Sequence, residues 1–451
     1  LRGLAQPHRA NSGIHAGGDH AIRAYNLEDL TERFAASGSV IHIRSSPIVA
    51  MLVCVAGALP AHGQVVAAAP DWIMDSSIRL RGESWSGQPF GTVGPGRPET
   101  ENVLLTRALA GVSGPVARNL SARVQFSWHE QTGRRSGDRP TDTGSFDIHQ
   151  AYAEWRFSPR GAVRVGRQEM PLGSGRLFSL RNGPNIRLAF DAIHFDWRQE
   201  AWRVRSFYAH PVENLPDAFD DRANDDVQVW GVYATHVEPG YGDGFDVYYL
   251  GYDRENARFG LVRGREHRHS LGLRVFGDAG PLEWNVEAVA QGGRFAGGDI
   301  EAWTVASDLS RGVLSAPLDL RLGVRANVTS GDENPNDADL GTFNALFPNL
   351  SYFSEAALLA PQNHVDVQPY VLARFSPQLS LRIRADLFWR TQDDDAIYRG
   401  PGIPIFVSNA DRYIGAQYDV DLSWRPTDET AIGLSYVRWE PGEALNRLSA
   451  E

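Results

Sequence analysis

The stretch "QLSLRIRADLFWR" (378–390) decides the fold. Taken every second residue, Leu379, Leu381, Ile383, Ala385, Leu387 and Trp389 form one face. Ser380, Arg382, Arg384, Asp386, Phe388 and Arg390 form the other. A period of two belongs to a β-strand with two distinct faces. One face is unbroken apolar surface and the other carries three arginines. A fold that keeps this strand must offer each face a different solvent.

The same alternation recurs along the chain. In "SSIRLRGES", Ile78 and Leu80 oppose Arg79, Arg81 and Glu83. In "LSARVQFSW", Leu120, Ala122, Val124, Phe126 and Trp128 oppose Arg123, Gln125 and Ser127. "LEWNVEAVA", "LDLRLGVRANV" and "IGAQYDVDLSW" read the same way. About seventeen such segments of roughly ten residues follow Gln64, the length a tilted strand needs to cross a bilayer. They begin near residues 76, 102, 119, 146, 161, 188, 201, 227, 245, 267, 282, 299, 317, 366, 378, 412 and 430.

The connections sort by length. Short ones fall at 113–117, 158–161, 198–201, 277–281, 376–378 and 426–429. Long ones fall between them at 87–100, 130–144, 170–187, 210–226, 329–365 and 391–411, with acidic, turn-rich stretches at 213–226, 331–339 and 393–395. Tight turns at one end and long loops at the other mark a transmembrane antiparallel β-barrel. Closure leaves no edge, so such a barrel spans lipid without exposing backbone polar groups. A soluble sandwich or propeller also alternates, but does not combine a secretion signal, ten-residue strands and sorted connections.

Energy assigns the two faces. An arginine on the lipid face at mid-bilayer costs about 2–4 kcal/mol, so the arginine face must be the lumen. Arg79, Arg81, Arg123, Arg164, Arg203, Arg205, Arg321, Arg325, Arg382, Arg384 and Arg390 are the pore-lining candidates, with Arg107, Arg156, Arg274 and Arg374 on the same face. Glu83, Glu154, Glu283, Asp319, Asp386 and Asp419 partly balance them. Two readings stay open here: neutral arginine–carboxylate ladders that brace the wall, or a net positive path for anions.

The 451-residue chain has a mean hydropathy of −0.33, which by itself resembles a soluble protein. All 44 basic residues are arginine. The single cysteine, Cys54, rules out an intrachain disulfide framework. It sits in "SSPIVAMLVCVAGALPAHGQ", where Arg44 precedes an apolar core from Ile48 to Leu59 and small residues follow at Ala61 and Gly63. That is the layout of a signal peptide over 44–63, cleaved near Gly63–Gln64. The core is too short for a membrane-spanning helix. Residues 1–43 precede it; the chain opens on Leu and its first Met is Met51, so a start site placed too early, or a disordered leader, is expected there. The barrel is assigned to 64–451. That portion holds 39 basic and 51 acidic residues, a balance that argues against nucleic-acid binding.

The segment "VRVGRQEMPLGSGRLFSLRNGPNIRLAFDAIHF" (163–195) resembles the signature of the alginate-export family of bacterial outer-membrane proteins. "EHRHSLGLRVFG" (266–277), "WNVEAVAQGGRF" (284–295), "SGDENPNDADLGTFNALFPNLSYF" (330–353) and "LFWRTQDDDAIYRG" (387–400) are similar to the same family. The resemblance implies an 18-stranded barrel in the outer membrane of a Gram-negative bacterium. It implies an electropositive lumen that passes an anionic uronate polysaccharide such as alginate, late in exopolysaccharide secretion. A general or uptake porin for small anions or oligosaccharides is the alternative. Outer-membrane lipid, the polysaccharide and periplasmic secretion proteins are the expected partners, and a monomer is the expected state. Arg167, Gln168, Glu169, Arg176, Arg181, Arg187 and Asp191 occupy the family's most recognisable motif. Residues 170–187, on the long-loop side, are expected to fold inward and narrow the pore. Only seventeen strands are readable, and "PGEALNRLSAE" ends the chain where a final outer loop would begin, so an eighteenth strand is expected to be missing.

Enzymatic motifs are absent. There is no Walker loop, no GxSxG, no HExxH and no cysteine cluster. "HRH" (267–269) reads as two polar strand-end histidines rather than a metal site. "DENPNDAD" lacks the glycine and terminal glutamate of an EF-hand. No cofactor and no metal are expected.

Overall fold

The computed structural model describes residues 49–57, 72–87, 100–240, 242–315, 317–400, 402–407 and 411–446. The expected leader 1–43 and the Gly63–Gln64 junction lie outside them. The wall strands are β1 (Val49–Gly57), β2 (Ile73–Ser86), β3 (Thr100–Ala117), β4 (Leu120–Thr132), β5 (Gly144–Trp155), β6 (Gly161–Gln168), β7 (Phe190–Gln199), β8 (Trp202–Glu213), β10 (Val227–Val237), β11 (Gly244–Phe259), β12 (Val262–Ala279), β13 (Leu282–Phe295), β14 (Gly298–Leu314), β15 (Asp319–Thr329), β16 (His364–Arg374), β17 (Leu379–Arg390), β20 (Tyr413–Thr427) and β21 (Thr430–Pro441). Loops carry the short strands β9 (Arg222–Ala223), β18 (Ile397–Arg399) and β19 (Ile403–Ile405). All seventeen expected strands are present, most within three residues of their expected starts. Each pairs antiparallel with its chain neighbour along the wall from β2 to β21. No helix among the described residues is long and apolar enough to cross a membrane.

The eighteenth position is filled, contrary to expectation. β1 pairs antiparallel with β21, from Val49 opposite Arg438 to Gly57 opposite Thr430, and runs beside β2. An odd number of antiparallel staves would bring β2 and β21 together in parallel. β1 between them keeps the ring antiparallel. This strand is the apolar core read in sequence as a secretion signal, and cleavage at Gly63–Gln64 would remove it.

The faces sort as the energy argument requires. Leu271, Leu273 and Val275 on β12, Ile383 on β17, and Val420, Leu422 and Trp424 on β20 are exposed outward. Their sequence neighbours Arg274, Arg382, Arg384 and Asp419 are buried. The sorting of connections holds with two exceptions on the long-loop side. β11–β12 and β13–β14 close through two-residue turns, with Gly260, Ala296 and Gly297 at positive φ. The long strands β11 to β14 carry the wall outward there in place of loops.

Interior packing departs most from a plain water-filled tube. The 169–189 and 330–363 segments turn inward and join. Ser179 N–H donates to Phe347 O (2.9 Å), Phe347 N–H to Leu177 O (2.8 Å) and Asn349 N–H to Gly175 O (3.0 Å). Phe178 packs against Phe190, Phe207 and Phe347, with ring centroids 5.3, 5.4 and 5.0 Å away. Inward-facing Val229, Leu250 and Tyr252 complete this apolar core inside the barrel. Arg181 and Leu346 flank the junction with φ of 49° and 59°, backbone that costs about 1–3 kcal/mol each unless surrounding contacts hold it.

Candidate functional site: the interior of the barrel

Inward arginines meet one of three fates, and register decides which. Most reach a carboxylate. Arg123 grips Asp75 with both nitrogens (2.7 and 2.8 Å). Arg164 meets Glu154 at 2.7 Å and lies over the Tyr152 ring. Arg203 meets Asp196 at 2.6 Å, Arg321 meets Glu283 at 2.9 Å and Arg325 meets Asp308 at 2.7 Å. Arg81 sits between Glu83 (2.9 Å) and Glu355 (3.1 Å), so it ties the wall to the inward 330–363 segment. Arg384 reaches Asp421 at 2.6 Å. These are the wall ladders the sequence left open.

A second group grips loop backbone. Arg79 donates to the carbonyls of Asn182 and Pro184 and thereby anchors the 169–189 segment. Arg390, at the outer end of β17, donates to carbonyls of Asp393 and Asp411. A third group has no acid within 4.0 Å among the described residues. It includes Arg205, which donates to Pro171 O (3.0 Å), and Arg382, whose buried Nε has no partner. Asp386, a candidate counter-charge for Arg382 and Arg384, instead accepts from Gln368 (2.7 Å).

The seven motif residues do not form one site. Arg167 locks Asp191 bidentately (2.9 and 3.0 Å) and donates to Ile148 O and Asp221 O, bracing β6 on β7 and a loop. Gln168 donates to the carbonyls of Gly166 and Ala192. Glu169 takes a 2.8 Å contact from His149 and lies 3.5 Å from Arg187, which also donates to Asn182 (3.0 Å). Arg176 crosses the interior to Glu287 (3.1 Å) and Tyr352 Oη. Arg181 donates to Leu346 O (3.1 Å) and lies over Phe347. The motif therefore pins both ends of the inward segment to the wall and its middle to the second segment.

Tyr352 and Tyr370 were not legible as site residues in the sequence, and Glu287 was legible only as a polar-face residue of 282–290. The Tyr352 hydroxyl donates to Asn327 and accepts from Arg176. The Tyr370 hydroxyl donates to Asp308 (2.8 Å), and its ring lies over Gly323, where an added Cβ would fall 2.2 Å from Tyr370 Cζ. A glycine between Arg321 and Arg325 on an alternating strand was the available signal, because a missing side chain on a strand admits a cross-strand ring. His267 and His269 face outward, on Asp253 (3.0 Å) and Tyr249 (2.7 Å).

Two cavities flank the joined segments. A 410 Å³ cavity at the short-turn end is lined by Arg176, Arg203, Arg205, Arg274 and Arg325 among others. A 490 Å³ cavity at the long-loop end is lined by Arg81, Arg139, Arg181, Arg187 and Arg399, with Glu83, Glu101 and Glu355. The 169–189 segment contributes Arg176 to the first and Arg181 and Arg187 to the second.

The sequence profile described as Alginate export matches residues 72–450. The chain belongs to the alginate-export family. No curated protein matches this member. Its fold is that of outer-membrane porins. The crystal structure of a BenF-like porin from Pseudomonas fluorescens Pf-5 superposes with a TM-score of 0.50 at 9% identity, covering 87% of this chain and 98% of that one. OccK11 (OpdR) of Pseudomonas aeruginosa gives 0.49 at 12% identity over 87% and 96%. Family and fold together make this alginate-export member an outer-membrane β-barrel of the channel type. Among its described residues, one acidic trio, Asp147, Asp220 and Asp221, gathers closely where a long loop meets β5.

Proposed function

We propose that the chain is a passive channel of a Gram-negative outer membrane that moves an anionic, uronate-type polysaccharide outward. Ten arginines around two cavities on either side of the joined segments carry this reading. A guanidinium grips carboxylates through paired N–H groups, and several weak, replaceable contacts let a polyanion enter and leave. No chemistry on the solute is part of the proposal. Outer-membrane lipid faces the apolar exterior, periplasmic secretion proteins deliver the polymer, and a single chain suffices as the unit. The 44–63 segment serves either as a secretion signal or, through Val49–Gly57, as the eighteenth stave. N-terminal sequencing of the membrane-extracted protein separates its two uses: a start at Gln64 assigns it to secretion, and retention of Val49–Gly57 assigns it to the wall.

One observation favours a second reading, an uptake porin for small anions or oligosaccharides. The inward segments leave cavities of 410 and 490 Å³, within the range of small-ligand sites. Planar-bilayer current recorded with polyuronate on the short-turn side tests the first. Block by polyuronate, but not by neutral dextran of equal length, is expected. Block by uronate monosaccharide alone, with the polymer inert, replaces export by uptake.

A further inference from the structure

We infer that Arg205 sets anion preference at the short-turn end of the interior, by binding the carboxylate of a permeating acid sugar. The inference rests on the channel reading above. Five arginines line the 410 Å³ cavity. Four are neutralised: Arg176 by Glu287 (3.1 Å), Arg203 by Asp196 (2.6 Å), Arg274 by Asp246 (2.8 Å) and Arg325 by Asp308 (2.7 Å). Arg205 is the fifth. The residue opposite it in register is Asp196, but Arg203 and Arg198 hold both oxygens of that carboxylate.

What Arg205 does touch leaves its charge intact. One Nη donates to Pro171 O (3.0 Å), and the guanidinium lies 5.2 Å from the Tyr233 ring centre. The Tyr233 hydroxyl is committed to Asp246 (2.8 Å). The buried Nε has no partner. Fixed from two sides, with donors uncommitted, the guanidinium is preorganised for a carboxylate. Two acids on the cavity wall remain. Glu283 pairs with Arg321 (2.9 Å). Asp278, near the end of β12, is exposed to solvent, where salt screens it. Arg382 also lacks an acid partner, but it is 8% exposed and lines neither cavity.

Planar-bilayer recording of the full chain in a KCl gradient, with glucuronate as the blocking probe, tests this. R205Q and R205M are both read, so that insertion of either is sufficient; R205K keeps the charge. The neutral variants should lose at least about threefold in the anion-to-cation permeability ratio, and half-block by glucuronate should need about tenfold more probe. R205K should hold both close to the unaltered channel. An anion-preferring channel whose neutral variants behave like it overturns the role of Arg205 alone. So does R205K behaving like R205Q. A wild-type channel with no anion preference overturns this inference together with the channel reading.

Discussion

Arg382 and Arg384 stand two residues apart on one face of one strand, yet they end differently. Register sets Asp421 opposite Arg382 and Asp419 opposite Arg384. Arg384 nevertheless takes Asp421 diagonally at 2.6 Å, and Arg382 is left without an acid. Which face an arginine occupies was legible in the alternation, because a period of two needs no partner to be read. Its partner was not, because it depends on register and on side-chain reach across strands. The buried pairs make a direct prediction. Arg325 holds buried Asp308 and the carbonyl of Tyr352. Removing one member strands the other charge, at about 3–5 kcal/mol. R325A should lower unfolding stability in detergent by that order. A change under about 0.5 kcal/mol, the ordinary range of surface substitutions, would show the pair to be solvated.

At the scale of elements, the inward segments were legible in position but not in packing. The long 170–187 and 329–365 connections marked which loops had length to enter the barrel. The apolar interior was hidden in plain runs. "VQVWGVYAT" and "DVYYLGY" put apolar residues on both faces, the pattern of a strand covered on both sides. Val229 and Leu250 are indeed buried under the inward segments, while Val232 and Val247 face outward. Phe178 is 1% exposed at the junction, and F178A should cost about 3–5 kcal/mol locally. Open-channel conductance and current noise should both rise. Unchanged recordings would mean the junction does not limit the path.

The outer loops carry a pH dependence of their own. Burial, then the neighbouring Asp147 and Asp220 charges, pushes Asp221 up to about 6. Burial and the Asp395 and Asp337 charges do the same for Asp332, also to about 6. A folded loop that raises a carboxyl's affinity for its proton binds more protons than the unfolded loop between the two pKa values. Its stability is therefore full below the ordinary aspartate range near pH 4 and falls as pH rises to about 6. Hydrogen exchange at 214–226 and 331–340, corrected for intrinsic rates, should show more protection at pH 4 than at pH 7. Greater protection at pH 7 would contradict the assignment.

At the scale of the molecule, the order and facing of seventeen strands followed from the alternation along the chain, because the bilayer fixes strand length and outward polarity. Closure did not follow in the same way. The apolar stretch 49–57 suits a secretion signal and a stave of the wall equally, and only its pairing with β21 distinguishes the wall position. The charge of the path is likewise a property of the whole. Counting faces gives an excess of arginine, whereas the ladders cancel most of it, leaving Arg205 without an acid and Asp386 without an arginine among the described residues; on the inference above, Arg205 sets the sign. The purified chain in a planar bilayer, under a tenfold KCl gradient, reads that sign directly. A reversal potential on the chloride side of zero is expected. A potassium-side reversal, or a membrane with no single-channel steps, would contradict it.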